Sequence, residues 1–320
     1  MMKMLNKFIG DISMNIPILS KIDLKQLLDE FQIQDVEYAP ISIGNNHAIY
    51  ILFAEEIPEA VREASSTSKK NYKAMELFVD WTNGDLLHAN CINFGQIKPN
   101  IHFIEPIGEY ILLLGSRTSL YKNGTFDNNA VIMSRDGNLI NEFCLGDGIE
   151  QCLVDSQQNI ITSYFDEGVF GNNRWNNPIG ASGLIKWTKD GKKLWENSKY
   201  DICDCYAINI DTKDNLWFYY YTDFKLVKTN DKKDIVFTPN ISGAASFLFN
   251  QRQNGILIDG GYKKHGQFTY MDLGDDKLRN SKPCQFEFEG KPIQYSQYTF
   301  RNSKAIFLTQ DRALYITNWI

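Results

Sequence analysis

The chain has 320 residues, 43% of them hydrophobic and 13% aromatic, with a formal net charge of −6. That is enough apolar material for a packed core, at a length that β-barrels and propellers often use for one domain. The acidic balance, with no stripe of Lys and Arg, excludes an ordinary nucleic-acid surface, and no run of about 18 apolar residues is present to cross a membrane as a helix.

At the N-terminus, Lys3 and Lys7 precede a stretch in which Asn6, Gly10, Asp11 and Asn15 interrupt any apolar run, so no signal-peptide core is expected. The six cysteines (Cys91, Cys144, Cys152, Cys203, Cys205, Cys284) lack the spacing of a disulfide framework and read as reduced and buried. A cytoplasmic protein is the expectation. Ile12 to Ile18 alternates with period two, and Pro17 restricts that strand to an edge. Ser20-x-x-Asp23 then has the form of a capping box with Asp in place of Glu. Leu24, Leu27, Leu28 and Phe31 follow at helical spacing, predicting a short amphipathic helix that braces one end of the fold or meets a partner.

From residue 36 onward one unit recurs. Its clearest copy runs from Glu150 to Asn197: an apolar run, the turn Asp155-x-x-x-Asn159, a second apolar run, and a later hairpin at Asp190-Gly191. The first turn is found six times, at Gly44-Asn45-Asn46, Pro106-Ile107-Gly108, 155–159, 211–215, 250–254 and Arg301-Asn302-Ser303. The later turn is found at Asn83-Gly84, Asp136-Gly137, Asp190-Gly191, Asn230-Asp231 and Asp275-Asp276, where Asn-Gly and Asp-Gly suit the positive φ of a tight hairpin. Six units of four strands predict an all-β, six-bladed β-propeller with antiparallel blades, residues 36–320 forming the propeller and 1–35 the closing strand and helix. The sixth unit lacks a fourth strand before Ile320, so the N-terminal strand is expected to complete the ring and cover that edge.

Topology turns this phase into a map. In each blade the loop between the second and third strands opens on the same face as the link to the next blade. Here those loops are long, at 54–73, 116–129, 168–183 and 260–267, which makes that face the place to look for a site. The stretch 54–73 predicts a short surface helix opened by Pro58 and a mobile tail. The third-blade loop carries Asp166, Glu167, Phe170, Arg174 and Trp175 among four glycines. Asp166 and Glu167 facing Arg174, with Trp175 as a flat wall, would suit a small polar ligand, whereas a purely local ion pair and a Trp175 plug would serve the fold alone. The fifth-blade loop adds Tyr262 and His265 to the same face.

Motif chemistry is sparse. Cys203-x-Cys205 has no second ligand pair for zinc, and His47, His88, His102 and His265 are scattered, so no metal residues are assigned. Asp211-x-x-Asp214 forms a turn without needing an ion. There is no Gly-x-Ser-x-Gly, phosphate loop or dinucleotide fingerprint, although a propeller site assembled from single residues on separate blades leaves no linear signature.

The units Leu153-Val154-Asp155-x-x-x-Asn159-Ile160 and Ile210-Asp211-x-x-x-Asn215-Leu216 resemble the six-bladed propeller group that includes NHL-repeat and gluconolactonase-like proteins. Tyr164 to Gly171 resembles a segment of uncharacterised bacterial propellers, which implies kinship and no activity. Gluconolactonase-like enzymes hold a divalent cation with Glu, Asn and Asp side chains, and those positions find no residue-by-residue match here. The leading expectation is therefore a binding scaffold without a cofactor, taking a small polar molecule or a protein partner on the long-loop face as a monomer. The alternative implied by the resemblance is a hydrolase or lactonase with Ca²⁺ or another divalent cation in the channel.

Overall fold

The computed structural model describes residues 14–33, 39–54, 69–229 and 233–320. The chain enters through β1 (Met14–Pro17), β2 (Ser20–Asp23) and α1 (Lys25–Glu30). Blade one is β3 (Ile41–Ile43), β4 (Ile49–Ala54), β5 (Lys70–Val79) and β6 (Leu86–Ile97). Blade two is β7 (Phe103–Ile107), β8 (Tyr110–Leu114), β9 (Ala130–Met133) and β10 (Leu139–Phe143). Blade three is β11 (Ile149–Val154), β12 (Ile160–Tyr164), β13 (Leu184–Trp187) and β14 (Lys193–Glu196), with α2 (Asp166–Phe170) in its long loop. Blade four is β15 (Asp204–Ile210), β16 (Leu216–Tyr221), β17 (Lys225–Thr229) and β18 (Ile235–Phe237). Blade five is β19 (Phe247–Phe249), β20 (Gly255–Asp259), β21 (Phe268–Leu273) and β22 (Leu278–Phe288), the last extended by β23 (Lys291–Pro292). Blade six is β24 (Gln297–Arg301), β25 (Lys304–Leu308) and β26 (Ala313–Asn318), completed by β2. The result is the six-bladed propeller expected from the repeat.

Closure comes from the N-terminal segment, with a shift in which residues perform it. Ser20–Asp23, read from sequence as a capping box, pairs antiparallel with β26 from Ser20 opposite Ile316 to Asp23 opposite Ala313. The alternating strand before it lies parallel to β22 on blade five, where Pro17 occupies the outer edge; Ile12 and Ser13 fall outside the described residues. The helix therefore starts later, at Lys25, with Leu24 as its N-cap and no side-chain cap. The register of β2 wins because it packs Ile22, partly buried, against the seam of blades six and one and covers an open edge. Leu24 and Leu28 are buried with blades six and one, so the helix braces the seam.

Second strands are buried along their whole length because neighbouring blades cover both faces: every residue of Ile49–Ala54, Ile160–Tyr164 and Gly255–Asp259 is buried. Six apolar clusters fill the spaces between successive blades, from Ile51 against Ile306 to Phe286 against Phe307. The recurring first turn has a local cause. Asp155 accepts from the amides of Gln157 and Asn159 at 2.9 and 2.8 Å, and Asp211 from Lys213 and Asn215 at 2.9 and 3.0 Å. The residue before each Asn, Gln158 or Asp214, takes a positive φ.

The predicted helix opened by Pro58 lies outside the described residues, as does the Asn230-Asp231 turn. Lys70 to Lys73, expected within a loop, already belong to β5, and Lys70 is buried. Among the described residues no helix is long and apolar enough to cross a membrane.

Candidate functional site

The long-loop face opens into a cavity of about 570 Å³ at the mouth of the central channel. Its walls are the first residues of the innermost strands, and its floor is built by charge. Arg301, at the end of β24, donates to Glu105 Oε2 at 3.2 Å, to the carbonyl of Ile43 at 3.3 Å and to that of Val154. One side chain thus ties blade six to blades one, two and three. Burial pushes the Glu105 carboxyl up to about 7, although Arg301 beside it acts in the opposite direction. Gln151 spans the other side, accepting from Ile208 N–H at 2.8 Å and donating to Ala245 O at 3.1 Å.

One further carboxylate lines the mouth, and another begins the innermost strand of the next blade. Glu150 lies where β11 slips register against β12, between Ile149 and Gln151, and Asp204 begins the corresponding irregularity of β15 against β16. Bulges of this kind break the alternation of a strand and re-aim a side chain. Glu150 lines the cavity, and burial together with the negative charge of Asp166 raises its carboxyl to about 7. Asp204 is raised to about 7 by burial, then by Glu150 and Asp166.

The third-blade loop is held by a network invisible to motif reading. Arg117 binds Asp147 through two hydrogen bonds of 2.9 and 3.0 Å and Glu167 at 2.6 Å, with its guanidinium over the Phe165 ring. Where this loop crosses the link from blade two, a Cβ on Gly148 would fall 2.3 Å from Gly168 N, and Gly148 has φ +71°. Only glycine permits that crossing, and it sets α2 beside the mouth. The fifth-blade loop is pinned by buried Asp259, which accepts from Gly261 N–H at 2.9 Å, Gly266 N–H at 2.7 Å and Tyr298 O–H at 3.1 Å, and meets His265 Nδ1 at 3.3 Å.

Of the residues singled out from sequence, His265 lines the cavity, while Asp166 sits close enough to perturb Glu150 and Asp204. Glu167 pairs with Arg117, not with Arg174, which is exposed and left-handed at φ +71°. Trp175 is buried, donating to Thr118 O at 3.0 Å, so it secures the loop and forms no wall of the cavity. Phe170 is exposed beyond the cavity, and Tyr262 stands over Gly243 with its hydroxyl bonded to that of Tyr206. Glu150, Asp204, Asp259 and Arg117 were missed. The available signal was a charged residue inside an otherwise apolar innermost strand, as in Asp204-Cys-Tyr-Ala-Ile-Asn-Ile210.

All six cysteines are free thiols. Among the described residues no three His, Cys, Asp or Glu side chains converge as metal ligands.

No curated protein sequence matches the chain. Among solved structures it is similar to the PQQ-bound aldose sugar dehydrogenase of Streptomyces coelicolor, with 9% identity over 93% of this chain and 98% of that one and a TM-score of 0.49. It is also similar to virginiamycin B lyase from Staphylococcus aureus, with 12% identity over 93% and 98% and a TM-score of 0.48. A gluconolactonase from Xanthomonas campestris shows 9% identity over 88% and 95% and a TM-score of 0.46. At such identities no activity transfers to this chain. Residues 179–317, from the end of the third-blade loop through most of the last strand, match the family model described as the YxzG family.

Proposed function

We propose that the protein binds a small polar molecule in the channel mouth on its long-loop face. The observation that carries this reading is the cavity of about 570 Å³ with the half-buried carboxylate of Glu150 in its wall. A concave site with a few convergent polar groups on a rigid scaffold is the usual form of a ligand pocket. The long loops support it, since those of blades two and three are fastened by Arg117 and that of blade five by Asp259. The test is a thermal-shift screen of the purified protein against sugars, lactones, polyols and amines. A ligand at a hundred times its Kd stabilises the folded state by about 2.7 kcal/mol. A hit is expected to vanish in Ser246→Phe, which fills the cavity, and to persist in Phe170→Ala outside it; a hit that survives Ser246→Phe places the site elsewhere.

A second reading, hydrolysis of the bound molecule, is favoured by His265, which lines the same cavity with its Nδ1 against Asp259. A carboxylate so placed fixes the imidazole tautomer and leaves Nε2 as the basic nitrogen. His265→Ala retaining ligand binding while losing turnover would support it; turnover unchanged in that variant would remove it.

A further inference from the structure

The four serines that line the cavity have all given their hydroxyl hydrogen to the protein. Ser42 Oγ donates to the Ile104 carbonyl at 2.6 Å, Ser116 Oγ to that of Ile149 at 2.5 Å and Ser296 Oγ to that of Leu308 at 3.0 Å. Ser246 Oγ donates to the Tyr298 hydroxyl at 3.4 Å, which passes its own hydrogen to Asp259 at 3.1 Å. A hydroxyl oxygen that has donated keeps its lone pairs and can only accept. Gln151 is likewise tied to blades four and five, through its carbonyl oxygen and one amide hydrogen. These oxygens therefore call for hydrogen-bond donors on whatever enters the cavity. β24 differs: the amide of Gln297 and the hydroxyl of Thr299 have no side-chain partner among the described residues, so this side of the mouth can still donate.

Charge and shape narrow the class. Among the described residues that line the cavity none is Lys or Arg, while Glu105 and Glu150 are present, so an anion finds no counter-charge there. The serine oxygens come from β3, from the long loop of blade two and from the links into blades five and six. Acceptors spread in this way suit hydroxyls placed around a ring better than one compact group. Much of the remaining wall is apolar, with the half-buried Phe103 and Phe165 on blades two and three and with Ile41, Ile104 and Ile149. A sugar would leave that surface poorly covered, whereas an aromatic ring covers it. A phenolic hydroxyl also donates more readily than it accepts, because the ring draws electron density from its oxygen.

We infer that the ligand of the channel mouth is an uncharged phenolic molecule, its hydroxyl donating to the serine oxygens and a carbonyl or ether acceptor facing Gln297 and Thr299. This rests on the reading of the cavity as a small-molecule site. The test is titration calorimetry of the full chain with 4-hydroxyacetophenone and with its methyl ether, which keeps the ring, the carbonyl and the oxygen but lacks the donor, alongside 4-hydroxybenzoate, glucose and putrescine. The phenol should bind, and the methyl ether and the benzoate should each bind about tenfold more weakly or not at all. Gln297→Leu should weaken 4-hydroxyacetophenone and leave 4-ethylphenol, which has no carbonyl, unchanged. At least one of Ser42→Ala and Ser296→Ala should weaken both phenols. In Ser296→Ala the Leu308 carbonyl keeps the residue 296 N–H at 2.8 Å, so an unchanged Tm separates lost binding from unfolding. A methyl ether bound as tightly as the phenol would overturn the inference. So would 4-hydroxybenzoate bound more tightly, or phenol binding unchanged in both serine variants. Glucose or putrescine bound in a manner blocked by Ser246→Phe, with the phenols silent, would refute the ligand class and leave the pocket standing. Silence of every probe would defeat both.

Discussion

Replacing Arg301 with Met tests how the channel floor is held. The substitution keeps an unbranched apolar stem, shorter than that of Arg by the guanidinium, and removes the donor to two buried carbonyls, those of Ile43 and Val154, and to the Glu105 carboxylate. Two carbonyls left without donors cost on the order of 2 kcal/mol together. The charge adds a part that depends on pH. In the parent protein burial pushes the Glu105 carboxyl up to about 7, well above the usual carboxylate range. Without Arg301 its carboxyl rises further and stays protonated, which costs about 1.4 kcal/mol for each pH unit above 7. The expected destabilisation is about 2 kcal/mol near pH 5.5, where Glu105 is protonated in both proteins, and about 3–4 kcal/mol near pH 8. Urea denaturation of both proteins at the two pH values measures it, and titration of the groups that Arg301 does not reach cancels in the difference. In a Glu105→Leu background the same substitution should lose its pH dependence. A destabilisation equal at both pH values would refute the argument that Arg301 and Glu105 act as a pair.

Further predictions follow from the same geometry. Burial pushes the carboxyls of Glu105, Glu150 and Asp204 up to about 7 in the folded chain, above the usual carboxylate range, so the folded state holds more protons than the unfolded one between that range and pH 7. Stability should therefore fall between about pH 4.5 and 7, and Glu150→Gln should flatten that slope in a Tm series against pH; a Tm rising across the interval would contradict the burial of these groups. Asp211→Ala removes the acceptor of Lys213 N–H, Asn215 N–H, Trp217 Nε1–H and the Lys228 ammonium, at 2.9, 3.0, 3.0 and 3.0 Å. With a buried indole N–H left unsatisfied, a loss of about 2–3 kcal/mol is expected in urea denaturation. Deleting the chain through Asp23 removes β1 and β2 and bares the outer strands of blades five and six. The truncated protein should aggregate on size-exclusion chromatography; a monomer of unchanged Tm would show the ring closing without them.

The turns were legible because their chemistry is local: an Asp or Asn that captures the amides two and four residues on forms the same loop in any context. The N-terminal segment was harder. Ser20-x-x-Asp23 satisfies the pattern of a capping box, yet it is a strand, since Ile22 gains burial between blades and β26 gains a partner. Local preference yields there to an open sheet edge. In the third-blade loop the glycines signalled close backbone approach, and Gly148 and Gly168 show it, but the partner of Glu167 proved to be Arg117, some fifty residues upstream and on another blade.

Composition and spacing alone determined the number of blades, their phase and the face that bears long loops, because these depend on turns and on alternation within a few residues. The site depended on tertiary structure. Glu150, Asp204, Asp259 and His265 come from three blades and share no motif, and two of them are re-aimed by bulges whose register exists only once the strands have paired. Whether a carboxylate has a cation beside it is decided by residues far apart in the chain, as Glu105 with Arg301 and Glu167 with Arg117 show.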